Sequence, residues 1–129
     1  MLSISSRVDE LKILYIEDIS VNVELVKQLL EELPHIKLFS ASNALDGIEL
    51  AKKELPYLIL MDIHIGMNGL SAFQKLQEIK ETAHIPVIAL TADAMSEDIQ
   101  VALDMGFKDY LTKPINVPQF LGTINSCLT

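Results

Sequence analysis

The sequence predicts an α/β fold: a (βα)5 doubly wound, five-stranded parallel sheet, strand order 2-1-3-4-5, with helices on both faces. Two observations carry that expectation. Short aliphatic runs alternate with longer amphipathic segments five times along 129 residues, and right-handed crossovers between parallel strands place the intervening helices on both faces. The third run, Leu58-Ile59-Leu60-Met61, is apolar without interruption, as expected of a strand covered on both sides.

Each element has its own signal. Ile13-Leu14-Tyr15-Ile16 reads as the first strand, followed at helical spacing by Val21, Leu25, Val26, Leu29, Leu30 and Leu33. Ser20 is placed to cap that helix and Pro34 to stop it. Ile36 to Ala41 forms the second strand. A helix from Asn43 to Leu55 then buries Ala44, Ile48, Ala51 and Leu55 before Pro56. After the third strand, a glycine-containing loop from Gly66 to Gly69 leads into a helix presenting Leu70, Phe73, Leu76 and Ile79. Pro86 opens the fourth strand, Val87-Ile88-Ala89-Leu90. The fourth helix, Ser96 to Met105, ends at Gly106, a good residue for the left-handed turn that closes a helix. Asp109-Tyr110-Leu111 is a short fifth strand, and Val117, Phe120, Leu121, Ile124 and Leu128 mark the last helix.

Composition narrows the function. A formal charge of −8, from 10 Lys+Arg against 18 Asp+Glu, argues against direct binding to nucleic acid or to an anionic membrane. The single cysteine, Cys127, excludes a disulfide framework and a zinc spacing, which fits a reducing cytoplasm. No apolar run reaches the length of a membrane span, and Met1 to Ser6 lack the basic start and apolar stretch of a signal peptide.

Polar residues that break the apolar pattern fall repeatedly at the carboxyl ends of strands. Strand one ends in Glu17-Asp18, strand three in Asp62 and strand four in Thr91, while Lys113 follows strand five. The ligand crevice of an open parallel sheet lies along that edge, and in the order 2-1-3-4-5 these four strands are contiguous. Any one of these residues reads equally well as a cap or a solvated side chain; all five on one edge do not. Three neighbouring carboxylates need a cation, and an all-oxygen donor set without His or Cys favours Mg²⁺. A carboxylate beside a metal and a lysine is suited to attack phosphorus.

The motifs Ile16-Glu17-Asp18, Leu60-Met61-Asp62, Leu90-Thr91-Ala92 and Leu111-Thr112-Lys113-Pro114 stand in order. With them, residues 11 to 128 resemble the flavodoxin-like receiver domain of two-component and phosphorelay response regulators, closest to receivers of hybrid sensor histidine kinases. The resemblance implies that Asp62 is the phosphoacceptor, taking phosphate from a histidine kinase or histidine phosphotransfer protein. It implies Mg²⁺, with Mn²⁺ as a substitute, held by Asp18, Asp62 and the backbone carbonyl of His64, with Glu17 acting largely through water. Thr91 would hydrogen-bond the phosphoryl group and Lys113 would pair with it. Thr91 and Tyr110 would form the switch that remodels the face of helix four, strand five and helix five, a face also suited to homodimer formation. His64 and Asp93 would flank the path of the hydrolytic water and tune dephosphorylation, and the Lys113-Pro114 bond would be cis. On this reading residues 1–10 are an extension or linker and 11–129 the receiver domain. The protein is then a cytoplasmic signalling acceptor that assists its own phosphorylation and dephosphorylation, alone or within a membrane-anchored hybrid kinase.

Two departures from the family pattern stand out. The loop Ile63-His64-Ile65-Gly66-Met67-Asn68-Gly69 is one residue short and lacks the usual proline, so a different path from Ile65 to Asn68 is expected. The acidic pair begins with Glu17, a common variant. An Asp-nucleophile phosphatase of the haloacid dehalogenase type would need a second Asp where His64 stands. A flavodoxin would place a phosphate against Glu17-Asp18, and a pseudo-receiver would not need the full acceptor set.

Overall fold

The computed structural model describes residues 11–31, 36–64, 69–92, 97–113 and 115–128. In chain order the elements are β1 (Leu11–Ile16), α1 (Ser20–Leu30), β2 (Ile36–Ala41), α2 (Ala44–Glu54), β3 (Leu58–Asp62), α3 (Gly69–Glu78), β4 (Val87–Thr91), α4 (Glu97–Met105), β5 (Asp109–Thr112) and α5 (Val117–Leu128). The strands form a parallel sheet in the order β2-β1-β3-β4-β5, as expected.

Alternation along each strand divides the core between the two faces. Leu14, Ile16, Ile59, Met61 and Ala89 pack with Ala44, Ile48, Phe73 and Ala102, beneath α2, α3 and α4. Ile13, Tyr15, Leu58, Leu60, Ile88 and Leu90 pack with Val26, Leu30, Phe120 and Ile124, beneath α1 and α5. Gly47 lets α2 press onto the sheet: a Cβ there would lie 2.5 Å from Ile16 Cδ1. Gly106, at φ 123°, closes α4 in the left-handed region that glycine enters freely.

Three local expectations are corrected. Ser20 is the first helical residue of α1 and not its cap; Ile19 holds the capping position without a side-chain bond. Val21 and Leu25 are exposed, because Val26 and Leu30 fix the buried stripe of α1 and the other two lie off it. Leu55 is also exposed. It sits just past α2 at φ 47° and donates its amide to Ala51 O, so it turns the chain instead of filling the core. By contrast Asn43 caps α2 with its side chain, accepting from Asp46 N at 2.8 Å and donating to Asp46 Oδ2 at 3.0 Å. Pro34, the loop from Ile65 to Asn68, Asp93 and the Lys113-Pro114 bond all involve positions outside the described residues. Among the described residues no helix is long and apolar enough to cross a membrane.

Candidate functional site

The sheet brings the polar strand ends together. Glu17 follows β1, Asp62 closes β3, Thr91 closes β4 and Lys113 follows β5. The backbone locks these ends to one another. Glu17 N donates to Ala41 O, Ile63 N to Leu90 O, and Lys113 N to Thr91 O at 2.8 Å. Each side chain is therefore aimed from a hydrogen-bonded edge and not from a free loop.

Lys113 ties the site together. Its Nζ donates to Glu17 Oε1 at 2.7 Å and to Asp62 Oδ2 at 3.0 Å. Glu17 and Asp62 are buried, at 1% and 6% exposure, and so is Thr91. Buried carboxylates need paired charge, and the ammonium meets that need for both. Burial alone would lower the pKa of Lys113. The hydrogen bonds and charges of Glu17 and Asp62 outweigh it, so the lysine is held above its ordinary value and stays charged.

Asp62 Oδ1 accepts from His64 N at 2.9 Å, which fixes the carboxylate from its other side. Glu17, Asp18 and Asp62 each offer an oxygen, and these oxygens lie within 4.8 Å of one another. Asp18 is the exposed member of the three. The donor set is hard oxygen throughout and fits a small divalent cation.

His64 bridges to the other side of the crevice. Its Nε2 lies 3.2 Å from Thr91 Oγ1 and 3.8 Å from Asp98 Oδ2 at the start of α4. The ring is about half exposed, so it lines the entrance. Tyr110 is half-buried on β5, in register with Ala89, and packs against the core beneath α2, α3 and α4. The geometry thus unites Glu17, Asp18, Asp62, His64, Thr91 and Lys113, and leaves Tyr110 on a neighbouring strand face.

Two contributors escape sequence reasoning. Tyr15 donates its hydroxyl to Glu17 Oε1 at 3.0 Å, and its only sequence signal is a polar tip inside an otherwise buried strand. Asp98 reads in sequence as an acidic residue favouring a helix N-terminus, which does not foretell its approach to His64.

Comparison with known proteins identifies the family and agrees with the fold. Residues 13–125 match the family model of the response regulator receiver domain. Over 117 residues the chain is 38% identical to the polar-differentiation response regulator DivK of Brucella anthropi, covering 90% of this chain and 94% of DivK. The receiver domain of a sensor histidine kinase from Pseudomonas aeruginosa, solved with a magnesium ion coordinated in its active site cleft, superposes with a TM-score of 0.82. It is 26% identical, and the match covers 91% of this chain and 96% of that one. The signal receiver domain of a DNA-binding response regulator from Colwellia psychrerythraea gives a TM-score of 0.84 at 28% identity, covering 92% and 98%.

Proposed function

The chain belongs to the response regulator receiver domain family, and on that premise we propose that Asp62 accepts a phosphoryl group from a phosphohistidine. The donor would be a histidine kinase or a histidine phosphotransfer protein. The observation that carries the assignment is the 3.0 Å bond from Lys113 Nζ to Asp62 Oδ2, inside a cluster of three carboxylates.

An oxygen of Asp62 forms the new P–O bond while the P–N bond to the donor breaks and its electron pair returns to the imidazole nitrogen. Lys113 sits where charge gathers on the phosphoryl oxygens, and preorganised charge of this kind is a large catalytic term. Thr91, at the end of the neighbouring strand, is the hydroxyl donor to the transferred group. Asp18, Asp62 and the His64 carbonyl would hold Mg²⁺, or Mn²⁺ in its place, with Glu17 acting largely through water. That ion supplies charge compensation for the phosphoryl group.

Thr91 and Tyr110 form the switch, acting on the α4-β5-α5 face, through which a homodimer could also form. His64 and Asp93 tune loss of the phosphate. Ile19, Val21 and Leu25 are exposed on α1 and just before it, and offer the donor protein apolar area beside Asp18. Residues 11–129 act as the receiver and 1–10 as an extension or linker. The product is a signal in the cytoplasm and not a turned-over substrate.

The test is direct. Incubation with acetyl phosphate and Mg²⁺ should add one phosphate to the intact mass, labile to base, and Asp62→Asn should abolish the addition. Undiminished labelling of the variant would show the acceptor to be another residue.

A further inference from the structure

Tyr15 is the next-to-last residue of β1, fully buried in the apolar cluster beneath α1 and α5. Residues two apart on a strand point to the same face, so Tyr15 stands beside Glu17. Its hydroxyl reaches Glu17 Oε1 at 3.0 Å, the same oxygen that accepts from Lys113 Nζ at 2.7 Å. Glu17 Oε2 accepts from Ile19 N at 3.2 Å. Three donors from three directions therefore hold one carboxylate, and Oε1 is committed to Lys113 and Tyr15.

We propose that Tyr15 is a positioning residue for phosphoryl transfer: its hydroxyl fixes the Glu17 carboxylate so that Glu17 aims the Lys113 ammonium at Asp62. The proposal rests on Asp62 being the acceptor and adds a residue that acts on it at two removes. The hydroxyl is the donor in this bond, because an ionised carboxylate can only accept. A phenylalanine would fill the same ring space and keep the core, but Glu17 would lose one of its three anchors and Lys113 would be less firmly directed.

The experiment measures the rate of phosphorylation by acetyl phosphate at saturating Mg²⁺, together with the Mg²⁺ dissociation constant. Tyr15 acts on Asp62 through two other side chains, so only part of the worth of a hydrogen bond to a charged group reaches the transfer step. Tyr15→Phe should therefore slow that step about three- to tenfold, with Mg²⁺ affinity changed less than about twofold. Tyr15→Leu should fall at least as far, since it also lacks the hydroxyl. In a Glu17→Gln background, adding Tyr15→Phe should cost much less, because the carboxylate it positions is gone. A Tyr15→Phe protein that labels at the wild-type rate overturns the role of Tyr15 alone. So does a loss of equal size in the Glu17→Gln background. A wild-type protein that takes no phosphate on Asp62 overturns the acceptor assignment, and this proposal with it.

Discussion

On the floor of the crevice, Lys113 lies 2.7 Å from Glu17 and 3.0 Å from Asp62, and both carboxylates are buried. At the rim, His64 lies 3.2 Å from Thr91 and 3.8 Å from Asp98, with the histidine and the aspartate each 48% exposed. The floor pairs buried charges that cannot be left alone, whereas His64 and Asp98 at the rim are polar groups that water can serve equally well. Fixed charge suits the proposed phosphoryl transfer, and contacts that exchange with water suit the proposed tuning of phosphate loss.

The largest break in this contrast should come from Lys113→Met, which strips the floor of its cation. Phosphorylation by acetyl phosphate should slow about 100-fold, in line with loss of one preorganised donor at a site of developing charge; a loss below about threefold would show the floor to be structural only. Asp18 sharpens the comparison, because it belongs to the carboxylate cluster and yet is exposed. Asp18→Asn should raise the Mg²⁺ dissociation constant at least about tenfold by titration. In Mg²⁺-free buffer the same variant should be more stable by about 1 kcal/mol in a denaturant melt, since a like charge has been removed from the cluster.

Changes at the rim should be smaller. His64→Ala and Asp98→Ala should each alter the acyl-phosphate half-life about two- to fivefold, leaving the phosphorylation rate within about twofold, and their effects should not add. Independent, additive effects would mean that the 3.8 Å approach of His64 to Asp98 carries nothing.

The smallest effect is a pH dependence of the floor. Lys113 and Tyr15 both hold their protons more tightly folded than unfolded. The stability they contribute is therefore complete below about pH 10, where the unfolded groups titrate, and is lost as pH rises through the folded values. In Mg²⁺-free buffer the melting temperature should fall above about pH 10, less steeply for Tyr15→Phe. A steeper fall for that variant would contradict the sign.

The sequence makes the strand ends legible because each interrupts an apolar run: Asp62 after Leu58 to Met61, Thr91 after Val87 to Leu90. Strand order then brings them to one edge. Tyr15 was not legible as part of the site, since an aromatic in a buried strand satisfies the hydrophobic pattern and hides what its hydroxyl does. The cap expected at Ser20 fails for a related reason. Glu17, a site residue held by Lys113, accepts the amide of Ile19 two residues on, so the site carboxylate shapes the turn into α1 and Ile19, not Ser20, takes the capping position. Leu55 shows the reverse, an apolar residue at helical spacing that the chain uses as a turn before Pro56.

The buried, lysine-paired carboxylate should be the one that takes phosphate. The most direct measurement is to label the protein with acetyl phosphate and Mg²⁺, reduce the acyl phosphate with borohydride, and locate the modified residue by peptide mass spectrometry. Modification should fall on Asp62 alone. Modification at the exposed Asp18 or at Glu17, with Asp62 intact, would contradict it.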